Sequence, residues 1–356
     1  MKIETNIENI LDLMDHPAFC VDRGIIREVN QAAQARMICV GDPVAPLISA
    51  GRAEYEAFIS GCLYLTLNIS GQSCGTSVTR LGETDVFCME SADANPELQA
   101  YALAAQELRQ PLSQILSISD QLFPALEASE NAHTSEQLAR MNRGLHQILR
   151  LVGNMSDAVS TAAARMELRD VTAVVQEIID HAIPLCQSAN VTLSFTNHPV
   201  SVYSLVDSQK LERAIYNLLS NALKCTAPGG EIDIQFKRRG NTLYLTVTDS
   251  GSGAEYSLSA GVFTRFLREP GIEDSRSGLG LGLTLVRTAA AVHQGTLLLK
   301  PLKNGGTQAT LSLSIRQTPG TLRSPMVRID YAGERDHGLI ELSDSLPYYL
   351  YGSQKE

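Results

Sequence analysis

Between Leu98 and Val159 apolar residues recur in two runs at alternating steps of three and four, and this spacing restricts the chain more than any other feature. Leu98, Tyr101, Ala105, Leu108, Leu112, Ile115 and Leu122 make the first run, with Ser119 in its one polar gap. Leu138, Met141, Leu145, Ile148, Val152, Met155 and Val159 make the second. Such a period places a narrow apolar seam on a helix. The intervening stretch, roughly Phe123–His133, carries Pro124 and ends at Thr134, a predicted N-cap with Gln137 three residues on. Two antiparallel helices with narrow seams bury both poorly when alone. The spacing therefore predicts a helical hairpin that dimerises into a four-helix bundle; the alternative is a hairpin packed on its own neighbours.

The first helix contains a defect. In AAQELRQPLSQILSISDQL, Pro111 removes a backbone hydrogen bond, which typically costs about 3 kcal/mol. Just before it Gln106, Glu107 and Gln110 avoid the seam and make an outward polar cluster. Beside a proline bend, such a cluster reads as an accessible reaction-type surface, or as a plain solvated face.

On both sides of the helical region the pattern is α/β. Before it, a short helix is expected near Asn6–Met14, then strands at Ala18–Val21, Ile25–Val29, Leu63–Ile69, Gly75–Leu81 and Asp85–Glu90. After it come a helix near Thr172–Ala189, strands at Val191–Thr196 and Val200–Ser204, and a helix from Asp207. Strands at Glu231–Lys237 and Thr242–Thr248, a glycine-rich stretch, a helix near Leu281–His293 and two strands to about Ile315 follow. The tail from Gln317 shows no clear period.

Totals exclude several classes. With 356 residues, 44% hydrophobic and 19% charged, the chain reads as a soluble globular protein of two or three domains. A net charge of −10 argues against a nucleic-acid binder. No apolar run reaches the length of a membrane span, and the acidic N-terminus does not read as a signal peptide, so a cytoplasmic protein is expected. The seven cysteines form no CxxC and read as reduced thiols, although five precede residue 90 and leave a thiol or metal sensor open. The histidines show no ligand spacing.

Three glycine- and asparagine-bearing segments carry chemistry. In DSQKLERAIYNLLSNALKCTAPGG, Leu211, Ala214, Ile215, Leu218, Leu219 and Ala222 form a buried side, while Asn217, Asn221 and Lys224 share a stripe. Asparagine is a poor mid-helix residue, but its amide oxygen suits a hard cation and lysine suits a phosphate. LYLTVTDSGSG ends a strand on Asp249, followed by Gly251 and Gly253, where a carboxylate can accept from an adenine amino group. SRSGLGLGLTLV places Gly278, Gly280 and Gly282 at a helix start, an anion cradle. No GxxxxGK[ST] is present.

In order, Asn217/Asn221, Asp249-x-Gly-x-Gly, Phe263-x-x-Phe266 and Gly278-x-Gly-x-Gly-Leu resemble the N, G1, F and G2 boxes of the sensor histidine kinases. QELRQPL resembles the phosphoacceptor box of that family, usually His-Glu-Leu-Arg-Thr-Pro-Leu, and HPAFCVDRGIIREVNQAAQ resembles the opening of a PAS sensor domain. The resemblance implies an α+β multidomain chain: a PAS-like α/β domain at 1–95, an antiparallel helical hairpin at 96–166 forming a four-helix bundle in a homodimer, a Bergerat-type α/β sandwich ATP-binding domain at 167–316, and a tail at 317–356. It further implies ATP and Mg²⁺ as cofactors. Asn221 would hold Mg²⁺ with Asn217 beside it, Lys224 would meet the phosphates, and Asp249 would read adenine. Residues 254–277 would form a lid anchored by Phe263 and Phe266, with Gly251, Gly253, Gly278, Gly280 and Gly282 along the nucleotide. The implied partner is a response-regulator receiver domain or a partner kinase.

One position departs from the family. Gln106 stands where the nucleophilic histidine belongs, and a carboxamide nitrogen cannot attack a γ-phosphate. Three expectations follow: a kinase using another residue, His146 first; an ATP-binding regulator or scaffold; or a response-regulator phosphatase in which Glu107 and Gln110 act on water. Topoisomerase- and chaperone-type ATPases share the nucleotide fold but carry a glutamate base where this chain has Asn217, which argues against simple ATP hydrolysis.

Overall fold

Strand alternation on either side of the helical region ends in one sheet. In the computed structural model the described residues are 11, 14, 16–90, 104–105, 107–108, 111–119, 121–122, 132–159, 164–251, 281–303, 305–316 and 336–352. Strands β1 (Ala18–Asp22), β2 (Ile25–Val29), β3 (Ile48–Ala50), β4 (Cys62–Ile69), β5 (Gln72–Leu81) and β6 (Thr84–Met89) form an antiparallel set with two short helices, α1 (Gln31–Gln34) and α2 (Arg52–Glu56). The turn Asp22-Arg23-Gly24 joins β1 to β2 with Gly24 at φ +79°, as the Asp-Arg-Gly signal requires. The expected helix near Asn6–Met14 falls almost wholly outside the described residues.

The C-terminal half contributes α4 (Val171–Ser188), α5 (Ser208–Cys225) and α6 (Gly282–Val292), with strands β8 (Thr192–Thr196), β10 (Glu231–Arg239), β11 (Thr242–Asp249), β12 (Leu297–Pro301) and β13 (Thr307–Ser314). Its strand order is β12-β13-β11-β10-β8, antiparallel except for β10 with β8. A separate ribbon pairs β7 (Glu167–Asp170) with β9 (Tyr203–Val206).

The two strand sets are joined edge to edge. β4 pairs antiparallel with β12, setting Tyr64 opposite Leu297, Leu63 opposite Leu298 and Cys62 opposite Leu299. Period-two alternation then sorts the side chains between two cores on opposite faces. Cys62 and Tyr64 join the C-terminal core with Leu297 and Leu299, while Leu63 and Leu65 join the N-terminal core with Leu298 against them. Gly61 makes the approach possible, because at φ +102° a Cβ there would lie 2.1 Å from the Leu299 carbonyl oxygen. Polar contacts reinforce the junction. Arg287 of α6 pairs with Glu90 and lies over the Tyr64 ring, and the Tyr244 hydroxyl donates to Glu54 at 2.8 Å.

Residues 104–105, 107–108, 111–119 and 121–122 are helical, on both sides of Pro111, and α3 (Ala132–Val159) follows. Ala105, Leu112, Leu116, Leu145, Leu149 and Val152 form their own apolar cluster with Ile340. Leu116 and Leu149 were not among the expected seam positions. Leu108, Ile115 and Leu122, with Met141 and Ile148, remain exposed. Leu98 and Tyr101 lie outside the described residues.

Two sequence expectations need correction. Thr134 does not cap the second helix, which starts at Ala132; neither Ala132 nor His133 stops a helix, so Thr134 lies in the first turn. The strand expected at Val200–Ser204 is Tyr203–Val206, because side chains compete for the earlier backbone: Thr172 Oγ1 donates to the Val200 carbonyl, and Val202 N–H donates to Asp170 and Thr172. The tail is ordered over 336–352. Asp336 caps α7 (His337–Glu341), accepting from Leu339 N–H at 3.0 Å, and a 3-10 turn spans Tyr348–Tyr351.

Candidate functional site

Helix α5 begins at Asp207, whose carboxylate accepts from the N–H of Lys210 at 3.0 Å. The Asp207 N–H donates in turn to His293 Nε2 at the end of α6, while His293 Nδ1 lies 2.7 Å from the Ala289 carbonyl. That pattern suits the neutral ring protonated at Nδ1, and burial pushes the His293 pKa down accordingly. The two helices are thereby tied at one end.

All six apolar positions expected on the inner side of α5 are buried, and so is Asn217, which is fully enclosed. Its Nδ2 donates to the Arg213 carbonyl at 2.8 Å, leaving Oδ1 buried with no partner among the described residues. A Cβ on Gly282, the first residue of α6, would lie 2.9 Å from that oxygen, so glycine keeps the space open. Thr284 Oγ1 in the same helix is a second buried polar atom with no partner among the described residues. Orphaned buried acceptors are costly and mark where a cation or donor fits. One turn further along, Asn221 is half-buried, and Lys224 Nζ sits 2.8 Å from Asp344 Oδ2.

Asp249 ends β11 with its side chain buried. Its Oδ1 accepts from Gly251 N–H at 3.0 Å, and Thr307 N–H also donates to the carboxyl. Burial raises its pKa, and these backbone donors oppose the shift without cancelling it. Two glycines make room for this arrangement. A Cβ at Gly251 would lie 2.3 Å from the Cys225 carbonyl oxygen, and one at Gly306, φ +85°, 2.1 Å from the Asp249 carbonyl oxygen. Gly306 and Thr307 were missed from the sequence, which gives here only two strands to about Ile315.

Asn217, Asn221, Lys224, Asp249, Gly251 and Gly282 therefore come from α5, the end of β11 and the start of α6. Gly253, Phe263, Phe266, Gly278 and Gly280 lie outside the described residues, as do Gln106 and Gln110; Glu107 is exposed on its helix. His146, the expected substitute nucleophile, is buried on α3. Its Nδ1 lies 2.8 Å from the Asn142 carbonyl, and its ring meets the edge of Tyr351 at 5.0 Å. Burial raises the thiol pKa values of Cys20, Cys62 and Cys186 to about 12 and that of Cys88 to about 11, so these thiols stay protonated. Among the described residues no group of three metal-ligating side chains forms, and no helix is long and apolar enough to cross a membrane.

Residues 206–317, which span these site residues, match the family of histidine kinase-, DNA gyrase B-, and HSP90-like ATPases. Histidine kinase P4 of Formosa agariphila is 24% identical over 71% of this chain and 18% of its own length. Sensor histidine kinase TmoS of Ectopseudomonas mendocina is 29% identical over 64% of this chain and 24% of its own. Sensor protein DivL of Caulobacter vibrioides is 28% identical over 61% and 28%. Residues 206–317 thus carry an ATPase domain of this family, in a chain similar to histidine kinases. The chain spans less than a third of the length of each of these relatives. The α5, β11 and α6 site is thus the heart of a histidine-kinase-type ATPase domain with a Bergerat-type α/β fold.

Proposed function

We propose that this histidine-kinase-like chain binds Mg-ATP between α5 and α6 and works as a two-component signalling regulator, coupled to a response-regulator receiver domain or a partner kinase. The observation that carries this reading is the fully buried Asn217 Oδ1, unpaired among the described residues and facing Gly282. Around it, Asn221 supplies an oxygen suited to Mg²⁺, Lys224 a cation suited to phosphates, and Asp249 a carboxylate held by backbone N–H groups. Bound nucleotide would supply a transferable γ-phosphoryl group, with the metal neutralising its charge. The chain's own residues hold the base and position the phosphates. Gly253, Phe263, Phe266, Gly278 and Gly280 are assigned by the family resemblance to the rest of the nucleotide envelope.

Autophosphorylation is not part of the proposed activity. Gln106 has no nucleophilic nitrogen, and burial of His146 against Tyr351 counts against it as a substitute. Residues 1–95 would act as the PAS-like sensor and 96–166 as the dimerising hairpin. The exposed stripe of Leu108, Ile115, Leu122, Met141 and Ile148 supports pairing with a second copy, since a seam left in water favours association. Light scattering on the purified chain should give the mass of a dimer; a monomer at tens of micromolar removes that part of the proposal.

The deciding experiment incubates γ-labelled Mg-ATP with the wild type and with Gln106→His. The wild type should take up no acid-labile label, and the variant should acquire it. Label on the wild type would overturn the regulator reading and identify another nucleophile.

A further inference from the structure

Residues 336–352 of the tail lie across α3 and α5. Two carboxylates, the buried Glu341 and the half-buried Asp344, lie between α3 and α5 and meet cations from both helices. Arg150 of α3 pairs with Asp344 at 2.6 Å and with Glu341 at 3.6 Å. Arg213 of α5 lies 3.2 Å from Glu341, and Lys224 of α5 lies 2.8 Å from Asp344. Arg150 also donates to Ser220 of α5 at 3.0 Å.

Backbone contacts extend the attachment. Arg143 donates to the carbonyls of Ser343 and Asp344, and Asn142 to that of Tyr351. His337 lies 3.2 Å from Glu212, and His181 lies 3.1 Å from Asp336. Apolar burial of Leu339, Ile340, Leu342, Leu346 and Tyr351 completes the seat. Gly338 lies close to α4, where a Cβ would meet Leu185 Cδ1 at 2.5 Å and push that side chain aside.

We propose that residues 336–352 are an internal clamp that holds α3 against α5 and, through Asp344, competes with nucleotide phosphates for Lys224. The competition rests on the nucleotide reading of Asn217, Asn221 and Lys224 given above. The physical ground is that Lys224 is a point charge on a flexible stem, and Asp344 already supplies it with an anion in a partly dry setting. A phosphate must displace that carboxylate or share the ammonium with it. By linkage, whatever the clamp subtracts from nucleotide affinity the nucleotide subtracts from clamp stability. Clamp release would also uncover His146, leaving α3 and α5 joined by the direct contacts of Arg213 with Asp157 and Asn154 and of Arg150 with Ser220.

Calorimetric titration with Mg-AMPPNP on the full chain tests this. Asp344→Asn keeps an acceptor for Arg150 but removes the charge, and should tighten binding about fivefold, the scale of a partly exposed ion pair. In a Lys224→Met background the same substitution should change nothing. Hydrogen exchange on the wild type supplies a readout independent of the variants: saturating Mg-AMPPNP should speed exchange of amides 337–351. Equal affinity in wild type and Asp344→Asn overturns the clamp while leaving the nucleotide site standing. So does a gain that persists without Lys224, or unchanged protection at saturation. Failure of both proteins to bind Mg-AMPPNP overturns the nucleotide reading, and the competition with it.

Discussion

An Asp249→Asn variant is expected to lose about a hundredfold in Mg-AMPPNP affinity, the scale of a buried hydrogen bond to a charged group. The carboxylate ends β11, is buried, and is oriented by the Gly251 and Thr307 N–H groups. Its free lone pairs suit the donor hydrogens of an adenine amino group, whereas an amide nitrogen would set donor against donor. The same variant carries a second signature. Burial raises the folded-state pKa of Asp249 above its unfolded value of 3.8. A carboxyl with a raised folded pKa stabilises the fold below the unfolded pKa, and that contribution is lost as pH rises through the folded pKa. The stability difference between wild type and variant should therefore move in favour of the variant as pH rises from about 4 towards 7. Chemical denaturation at a series of pH values measures this. Unchanged nucleotide affinity, or a stability difference that is flat with pH, would refute the role given to Asp249.

Glu341→Ala should destabilise the chain by about 3–5 kcal/mol, the usual result of removing one partner from a buried ion pair. Glu341 is 1% exposed, and its two oxygens face Arg213 and Arg150. Without it two guanidinium groups, each less than one-tenth exposed, face one another across the α3–α5 cleft. Arg213 would keep Asp157 and Asn154, and Arg150 would keep Asp344, so the loss is bounded rather than complete. Urea unfolding of wild type and variant measures it, and Glu341→Gln should lose less because it retains an acceptor. A midpoint that does not move would mean that the tail is seated by its apolar side chains alone.

Much of the nucleotide domain was legible in the sequence because its signals are local. The six buried positions of α5 follow from helical period, and Asp249 follows from a strand that stops at an Asp-Ser-Gly turn. Strands of the N-terminal half lie within a few residues of their expected ends for the same reason. Helix spacing predicted two seams, but spacing cannot say which of their positions pack on a neighbour and which face water. Leu116 and Leu149 pack, while Leu108 and Ile115 remain exposed.

The resemblance to histidine kinases and the order of the motif segments were readable from the chain alone, since both reside in contiguous words such as QELRQPL and NLLSNALK. What lies beside those words depends on how the chain folds back on itself. Pairing of β4 with β12 joins residues more than two hundred positions apart, and Cys62-Leu63-Tyr64 carries no mark of its partner edge. The tail's ELSDSLPYYLY has no helical period because its residues are arranged to fit a cleft rather than one helix face. Asp344 meets Lys224 across 120 positions, and such a contact is specified by burial and charge balance in the folded chain. Local patterns encode elements; burial of apolar surface contributed by distant segments, with the charges it encloses paired, chooses how the elements meet.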